Sequence, residues 1–432
     1  MRILFVSNLY PPNVVGGYER LCFEVVDAMS ARGHSVAVLT SGHGGGMAEY
    51  PGQAVYRRLR LLAGREIYEP FLGDAADRDA VNRSNLQVLR DTVVEVAPDV
   101  IFAWNLSFLD RSFVIGLGEC GATPVVLMLT DNWLLSLQNP EYMSRFFREH
   151  VFGPSPFPLP PSRLSACAPS PTWWERTLRR ARPAMRRAAI AAPLHFPFAA
   201  VFGASFVRNL YADAGLSFAR DRVVHNGVRQ RPHPSYAAQK RARRVHEPEL
   251  RLLFAGRLVD LKGAHDLVAA MPLIASAEPS QGVRLTLLGD ARDKAYVERL
   301  QREVAASPCA NRIDIRPAVP EDSLPELFEE HDIYVFPSLY EPFSLTLIHA
   351  LACGIPTAAS RVGGNVEIVR DGVSGVLFKK GDPADVASAV LRLARDPPLR
   401  VAVALGGRQA ATQFTFEGMV NGMEDFLQEF ST

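Results

Sequence analysis

The chain has 432 residues, 48% of them hydrophobic, with 47 Lys and Arg against 46 Asp and Glu. That length exceeds what a single core sustains, about 250 to 300 residues, and predicts two domains. A near-neutral charge excludes a broadly basic surface and with it nucleic acid as the expected partner, and Cys22, Cys120, Cys167, Cys309 and Cys353 show no C-x-x-C spacing that would suggest a zinc or redox site, which points to a reducing, cytoplasmic setting.

Met1 to Ser7 is a short apolar run that breaks at Asn8-Leu-Tyr-Pro-Pro12, the shape of a first strand rather than an export signal. Strand and helix patterns then alternate: Arg2 to Ser7, a helix near Gly17 to Arg32, Ser35 to Thr40, a helix near Val81 to Val96, Val100 to Trp104, and Val125 to Leu129. Such alternation is the mark of a doubly wound α/β sheet. Residues 153 to 172 carry seven prolines, too many for a helix interior or a central strand, and predict an irregular insertion. A helical patch follows from Thr172 to Ala192. Ala188 to Val207 holds twenty residues without a formal charge, the length a membrane span needs, but Pro193, His195 and Pro197 interrupt it. Phe198 to Ser205 reads instead as a buried strand ending at a helix cap.

The polar stretch from Pro232 to Pro248 predicts a linker. A second α/β series follows: Arg251 to Phe254, a helix from Gly263 to Ile274, Arg284 to Leu288, a helix from Lys294 to Ala306, Ile313 to Arg316, Leu324 to Glu330, Ile333 to Phe336, and Thr357 to Ala359. The expected organisation is an N-terminal domain over residues 1–230 with an insertion near 138–192, a linker at 231–248, and a C-terminal domain over 249–413. A last helix within 414–432 is expected to return to the first domain. Two doubly wound halves imply a ligand outside the carboxyl ends of their strands.

Three places could carry chemistry. Gly16-Gly17-Tyr18-Glu19 closes the loop after the first strand without forming the G-x-G-x-x-G dinucleotide fingerprint. It is either a merely tight loop or one whose backbone approaches a bound group. Arg257 and Lys262, between Gly256 and Gly263, place two cations after a strand and before a helix; they could clamp phosphate or could be solvated surface. After the apolar run Asp332 to Pro337, Ser344 predicts a cap for a helix from Leu345 to Cys353 terminated by Gly354. The segment is either an ordinary strand, loop and capped helix, or one in which the amides of Leu345, Thr346 and Leu347 form an anion site outside the strand end, next to the carboxylate of Glu341.

Four segments fall in one familiar order: Ser7-Asn-Leu-Tyr-Pro-Pro12 with Gly16-Gly17, His225-Asn226-Gly227-Val228, Gly256-Arg257 with Lys262-Gly263, and Pro337-Ser338 through Glu341 to Val362-Gly363-Gly364. In this set the chain resembles a retaining glycosyltransferase of the GT-B fold, family 4 (glycosyl transferases group 1). The resemblance implies an α/β GT-B architecture of two Rossmann-like domains facing across a cleft. It implies transfer of a sugar from a nucleotide-sugar donor, most plausibly a UDP-sugar, with retention and without a metal or other cofactor. Arg257, Lys262, Gly17 and the amides around Ser344, Leu345 and Thr346 would grip the donor diphosphate, and Glu341 would accept from hydroxyls of the donor sugar. No protein nucleophile is required, because the leaving phosphate oxygen takes the acceptor's proton.

Two positions depart from that pattern. Eight residues after Glu341 the family usually has a second Glu, which accepts from both ribose hydroxyls; this chain has His349, whose neutral imidazole offers one acceptor and either keeps a donor-binding contact with the ribose through it or is tucked on a helix face. At Thr130-Asp131 the family commonly has His followed by Asp. Asp131 then either orients a sugar or acceptor hydroxyl or caps the helix that follows. The expected acceptor is a carbohydrate, a lipid-linked group or a small molecule. The run Arg176, Arg179, Arg180, Arg182, Arg186 and Arg187, preceded by Trp173 and Trp174, is either a solvated face or a peripheral contact with an anionic membrane. From other classes, a binding or partner subunit that has lost turnover and a sugar-nucleotide epimerase or hydrolase share the same plan.

Overall fold

The computed structural model describes residues 1–14, 16–46, 48–67, 69–152, 194–229, 249–278 and 282–430. The chain forms two compact units, one of Met1–Val224 with Val420–Thr432, the other of His225–Met419. The expected linker, the proline-rich insertion beyond residue 152 and the arginine run Arg176 to Arg187 lie outside the described residues.

The first unit holds a seven-stranded sheet ordered β3-β2-β1-β4-β5-β6-β7. Its strands are β1 (Arg2–Val6), β2 (Ser35–Ser41), β3 (Gln53–Leu59), β4 (Val100–Ala103), β5 (Val125–Leu129), β6 (Leu194–Phe202) and β7 (Leu216–Val223). Its helices are α1 (Gly17–Ala31), α2 (Ala75–Val96), α3 (Arg111–Leu117), α4 (Trp133–Gln138), α5 (Pro140–Phe146) and α6 (Ser205–Asp213). All strand pairs are parallel. Burial on both faces explains why β1, β4 and β5 read as unbroken apolar runs.

Two differences from the sequence reading have local causes. The edge strand β3 (QAVYRRL) is mostly half-exposed and so lacks an apolar signature. α2 begins at Ala75, ahead of the expected Val81, because Asp74 and Asp77 form a capping box that starts the helix on polar, exposed residues.

The second unit holds a six-stranded parallel sheet ordered β10-β9-β8-β11-β12-β13. These strands are β8 (Glu249–Ala255), β9 (Gly282–Gly289), β10 (Ile313–Pro317), β11 (Ile333–Phe336), β12 (Thr357–Ser360) and β13 (Val376–Phe378). The helices are α7 (Ala264–Ala277), α8 (Lys294–Ala306), α9 (Leu324–Glu330), α10 (Leu345–Cys353), α11 (Asn365–Ile368), α12 (Pro383–Arg395), α13 (Pro397–Ala411) and α14 (Phe416–Gln428). The core gathers Leu252, Phe254, Leu285, Leu287, Val335 and Val390. At three residues, β13 is too short to announce itself in sequence.

From Val420 onward, α14 belongs to the first unit. There Glu424 pairs with Arg32 and, at 2.8 Å, with His34 Nε2, while Glu429 pairs with Arg220 and Arg222.

Candidate functional site

In the second sheet the chain steps outward from β8 through β9 to β10, then crosses back to β11 on the other side. The crevice beyond the carboxyl ends of β8 and β11 is therefore the topological switch point, where sheets of this kind take their ligands. Its walls are the loops Gly256–Gly263 and Pro337–Ser344, joined by a bond from Leu339 N–H to the carbonyl of Leu261 at 2.8 Å. Gly263 has φ +66°, and a Cβ there would stand 2.1 Å from the carbonyl oxygen of Pro337. Only glycine lets the two loops meet.

That approach sets Lys262, at the end of a 3-10 turn over Asp260–Lys262, against Glu341. Lys262 Nζ donates to Glu341 Oε2, Ser338 Oγ lies 3.5 Å from the same oxygen, and the Phe336 ring centroid is 5.3 Å from Nζ. The pair is nearly buried, with 15% of the Lys262 side chain and 6% of the Glu341 side chain exposed. Opposite charges held out of water at a strand-end crevice are costly to place and strong in local field.

α10 starts beside them. Ser344 caps it, accepting from Leu347 N–H at 3.1 Å, and Gly354 ends it in the left-handed region at φ +74°, as the sequence pattern predicts. One expectation changes: the Leu347 amide is taken by the cap. The first-turn amides of Leu345 and Thr346 are those left to an anion. The turn at Gly363-Gly364 packs beneath this loop, with Gly364 N–H donating to the Glu341 carbonyl at 2.9 Å. Phe343 stacks on His225 at 5.3 Å, and His225 Nε2 meets Glu367 Oε2 at 2.8 Å.

Arg257 is exposed at the mouth of the β8 loop. Burial pushes the Asp290 carboxyl up, but Arg292, with Arg257 adding, holds it below the usual range. Lys380, which the sequence reading passed over, donates to the Leu339 carbonyl at 3.3 Å, and burial lowers its pKa. A lysine pair after a three-residue strand carries no signal of this in sequence. His349 Nε2 lies 2.6 Å from Glu321 Oε1.

The first unit has its own switch point, between β1 and β4. Gly17 opens α1 there and is exposed. Glu19, 3% exposed, accepts from Gly16 N–H at 2.9 Å and faces Asn105 Nδ2 at 3.4 Å, tying the loops after β1 and β4 together. Asp131 follows β5, and its Oδ1 accepts from Trp133 N–H at 2.8 Å, so the carboxylate helps begin α4. Thr130 beside it is buried. Gly17 and Asp131 thus lie in the first unit, while Arg257, Lys262, Glu341, Ser344, Leu345, Thr346 and His349 lie in the second. Among the described residues no group of three or more His, Cys, Asp or Glu side chains is placed to hold a metal ion.

Two doubly wound parallel sheets in succession define a GT-B fold. Sucrose-phosphate synthase from Thermosynechococcus elongatus shares it with a TM-score of 0.71 at 19% identity, covering 99% of this chain and 98% of that one. Anabaena Alr3699/HepE, solved with UDP and glucose, gives 0.63 at 18% identity, covering 99% and 100%. Residues 249–396 match the family model "Glycosyl transferases group 1". A D-inositol 3-phosphate glycosyltransferase of Acidothermus cellulolyticus is 35% identical over 224 residues, 49% of this chain and 50% of the relative. The chain spans about half the length of the curated relatives it first matches.

Proposed function

We propose that this protein transfers a sugar, with retention and without a metal, from a nucleotide-sugar donor to a hydroxyl acceptor. The observation that carries the reading is the nearly buried Lys262–Glu341 pair at the switch point of the second sheet, beside the capped mouth of α10. A cation there stabilises charge that grows on a departing diphosphate, and the fixed Leu345 and Thr346 amides act in the same sense. Arg257 adds a planar fork suited to phosphate. Glu341 accepts from hydroxyls of the donor sugar. The acceptor oxygen forms its bond to the anomeric carbon as the bond from that carbon to the phosphate oxygen breaks, and the acceptor's proton passes to the leaving phosphate on the same face. From the first unit, the resemblance assigns the Gly16-Gly17 turn to phosphate and Asp131 to a sugar or acceptor hydroxyl.

A UDP-sugar is the favoured donor, supported by the UDP and glucose bound in the Anabaena relative. The acceptor is a carbohydrate, a lipid-linked group or a small molecule. The proposed setting is the cytoplasm, with Arg176 to Arg187 resting on the anionic inner face of a membrane. Among the described residues no helix is long and apolar enough to cross one.

The test is incubation with a panel of UDP-, GDP- and ADP-sugars and candidate acceptors, reading nucleotide release and the anomeric configuration of the product. Release that persists in EDTA and disappears in Lys262→Ala is the expected result. A folded protein that releases no nucleotide from any donor and binds none would leave a non-enzymatic partner subunit as the better account. For the membrane contact, sedimentation with anionic liposomes should be lost when the six arginines are replaced, and unchanged sedimentation would remove it.

A further inference from the structure

The loop that carries Glu341 is held by its carbonyls, and the groups that hold it come from the strand ends and turn beside it. Ser360, the last residue of β12, donates from Oγ to the Ser338 carbonyl at 2.6 Å. Lys380, two residues past β13, donates from Nζ to the Leu339 carbonyl at 3.3 Å, and Gly364 N–H reaches the Glu341 carbonyl. Each side chain suits the distance it covers. β12 lies beside β11 and β13 beside β12, and neighbouring strands stand about 4.8 Å apart. A serine spans one such step; from β13 the loop after β11 is two steps away, roughly 10 Å, which takes a long side chain. Lys379 is turned outward instead, with 77% of its side chain exposed and its ammonium 3.6 Å from Asp382. Lys380 is half-buried, and burial lowers its pKa. An ammonium withdrawn from water is costly unless it is hydrogen-bonded.

We propose that Lys380 is a positioning residue for the transfer reaction: by holding the Leu339 carbonyl it sets where Lys262 and Glu341 meet, and so governs the rate of transfer rather than the affinity for nucleotide. This deepens the transferase reading and rests on it for the kinetic effect. Leu339 is the node of the arrangement. Its N–H bonds the carbonyl of Leu261, the residue before Lys262, while its own carbonyl is held from the end of β13. Anchoring the N–H and the C=O of one residue fixes its two backbone torsions, and Glu341 is carried two peptide units along. A misplacement of reacting groups by about 1 Å costs on the order of a hundredfold in rate, so a modest shift of this loop is felt in turnover. Lys380 acts through the backbone of the loop and through the pair it sets.

The experiment compares Lys380→Met, Lys380→Arg and Lys379→Ala in the full chain. Steady-state nucleotide release gives kcat, calorimetric titration with UDP, GDP and ADP gives nucleotide affinity, and hydrogen exchange reads the peptides covering residues 257–263 and 337–344. Lys380→Met keeps the length of the side chain without its donor. It should lower kcat by about tenfold to a hundredfold while nucleotide affinity stays within about threefold, and exchange in both peptides should quicken at least about fivefold. Lys380→Arg, which keeps a charged donor on a long stem, should restore all three, and Lys379→Ala should match the wild type. A folded Lys380→Met with wild-type exchange overturns the clamp, and one with wild-type kcat overturns its role in transfer. A loss of nucleotide affinity as large as the loss of kcat makes Lys380 a binding group and overturns the positioning role, as does Lys380→Arg no better than Lys380→Met. A wild type that releases nucleotide from no donor overturns the transferase reading and the kinetic role with it, while the exchange measurement still decides the clamp.

Discussion

Lys262 and Glu341 stand 79 positions apart in the chain, and their meeting is both a stability liability and the proposed catalytic device. Lys262→Ala and Glu341→Ala should each lower turnover at least about a hundredfold, the scale of a lost transition-state contact. Near-native rates in both, measured by nucleotide release, would remove the site assignment. Lys262→Ala should also lower the melting temperature, because it strands a carboxylate whose side chain is 6% exposed, a loss on the order of 3–5 kcal/mol. Asp266 presents a separate case. Burial, with Asp382 and Glu303 adding, pushes its pKa up to about 6 from the ordinary 3.8, and among the described residues its buried Oδ2 has no hydrogen-bond partner. A raised carboxyl pKa means the folded state holds the proton more tightly, so stability falls as pH rises from about 4 to 6. Asp266→Asn should flatten that interval in chemical denaturation and stabilise the protein at pH 7, by on the order of 1–3 kcal/mol. An unchanged pH profile would contradict this.

At the scale of elements, the site depends on backbones that approach one another as much as on the side chains they carry. Gly263 lets the β8 loop touch Pro337, and Gly364 would meet the Pro342 carbonyl oxygen at 2.2 Å if it carried a Cβ. Gly263→Ala therefore has both a left-handed φ and a collision with backbone to accommodate. It should cost roughly 2 kcal/mol or more in urea denaturation and weaken nucleotide binding, whereas a neutral effect on both would show that the loops need not meet. Ser344 as cap and Gly354 as terminator of α10 were legible because helix ends are chemically local. The early start of α2, the polar edge strand β3 and the brief β13 were hidden, since each is held by neighbours or caps rather than by an apolar period of its own.

For the whole molecule, α14 gives each end of the chain a share in the first unit. Glu424 sits against Arg32 and His34. Burial works to raise its pKa, but the bonds from His34 and Arg32 outweigh that and hold it below the ordinary value. A depressed carboxyl pKa contributes stability above its unfolded value and loses it as pH falls through the folded one. Acidification, or Glu424→Ala at neutral pH, should therefore speed amide exchange across residues 420–430 ahead of the β1 and β4 core. Exchange in that helix indistinguishable from wild type would show that its apolar face alone, with Val420, Met423 and Leu427 buried, holds it.

The sequence by itself determined two doubly wound halves and the capped helix at Ser344, because apolar period and capping chemistry act over a few neighbouring residues, while Arg257, Lys262 and Glu341 came together as a candidate set only through a family resemblance. Only the tertiary structure decided which of them touch. It closed Lys262 onto Glu341, spent the Leu347 amide on the cap, engaged Asp131 in starting α4, and put Glu321 against His349. Those pairings join residues through parallel crossovers, and a sequence fixes the order of its strands more plainly than it fixes which strand ends will lie side by side.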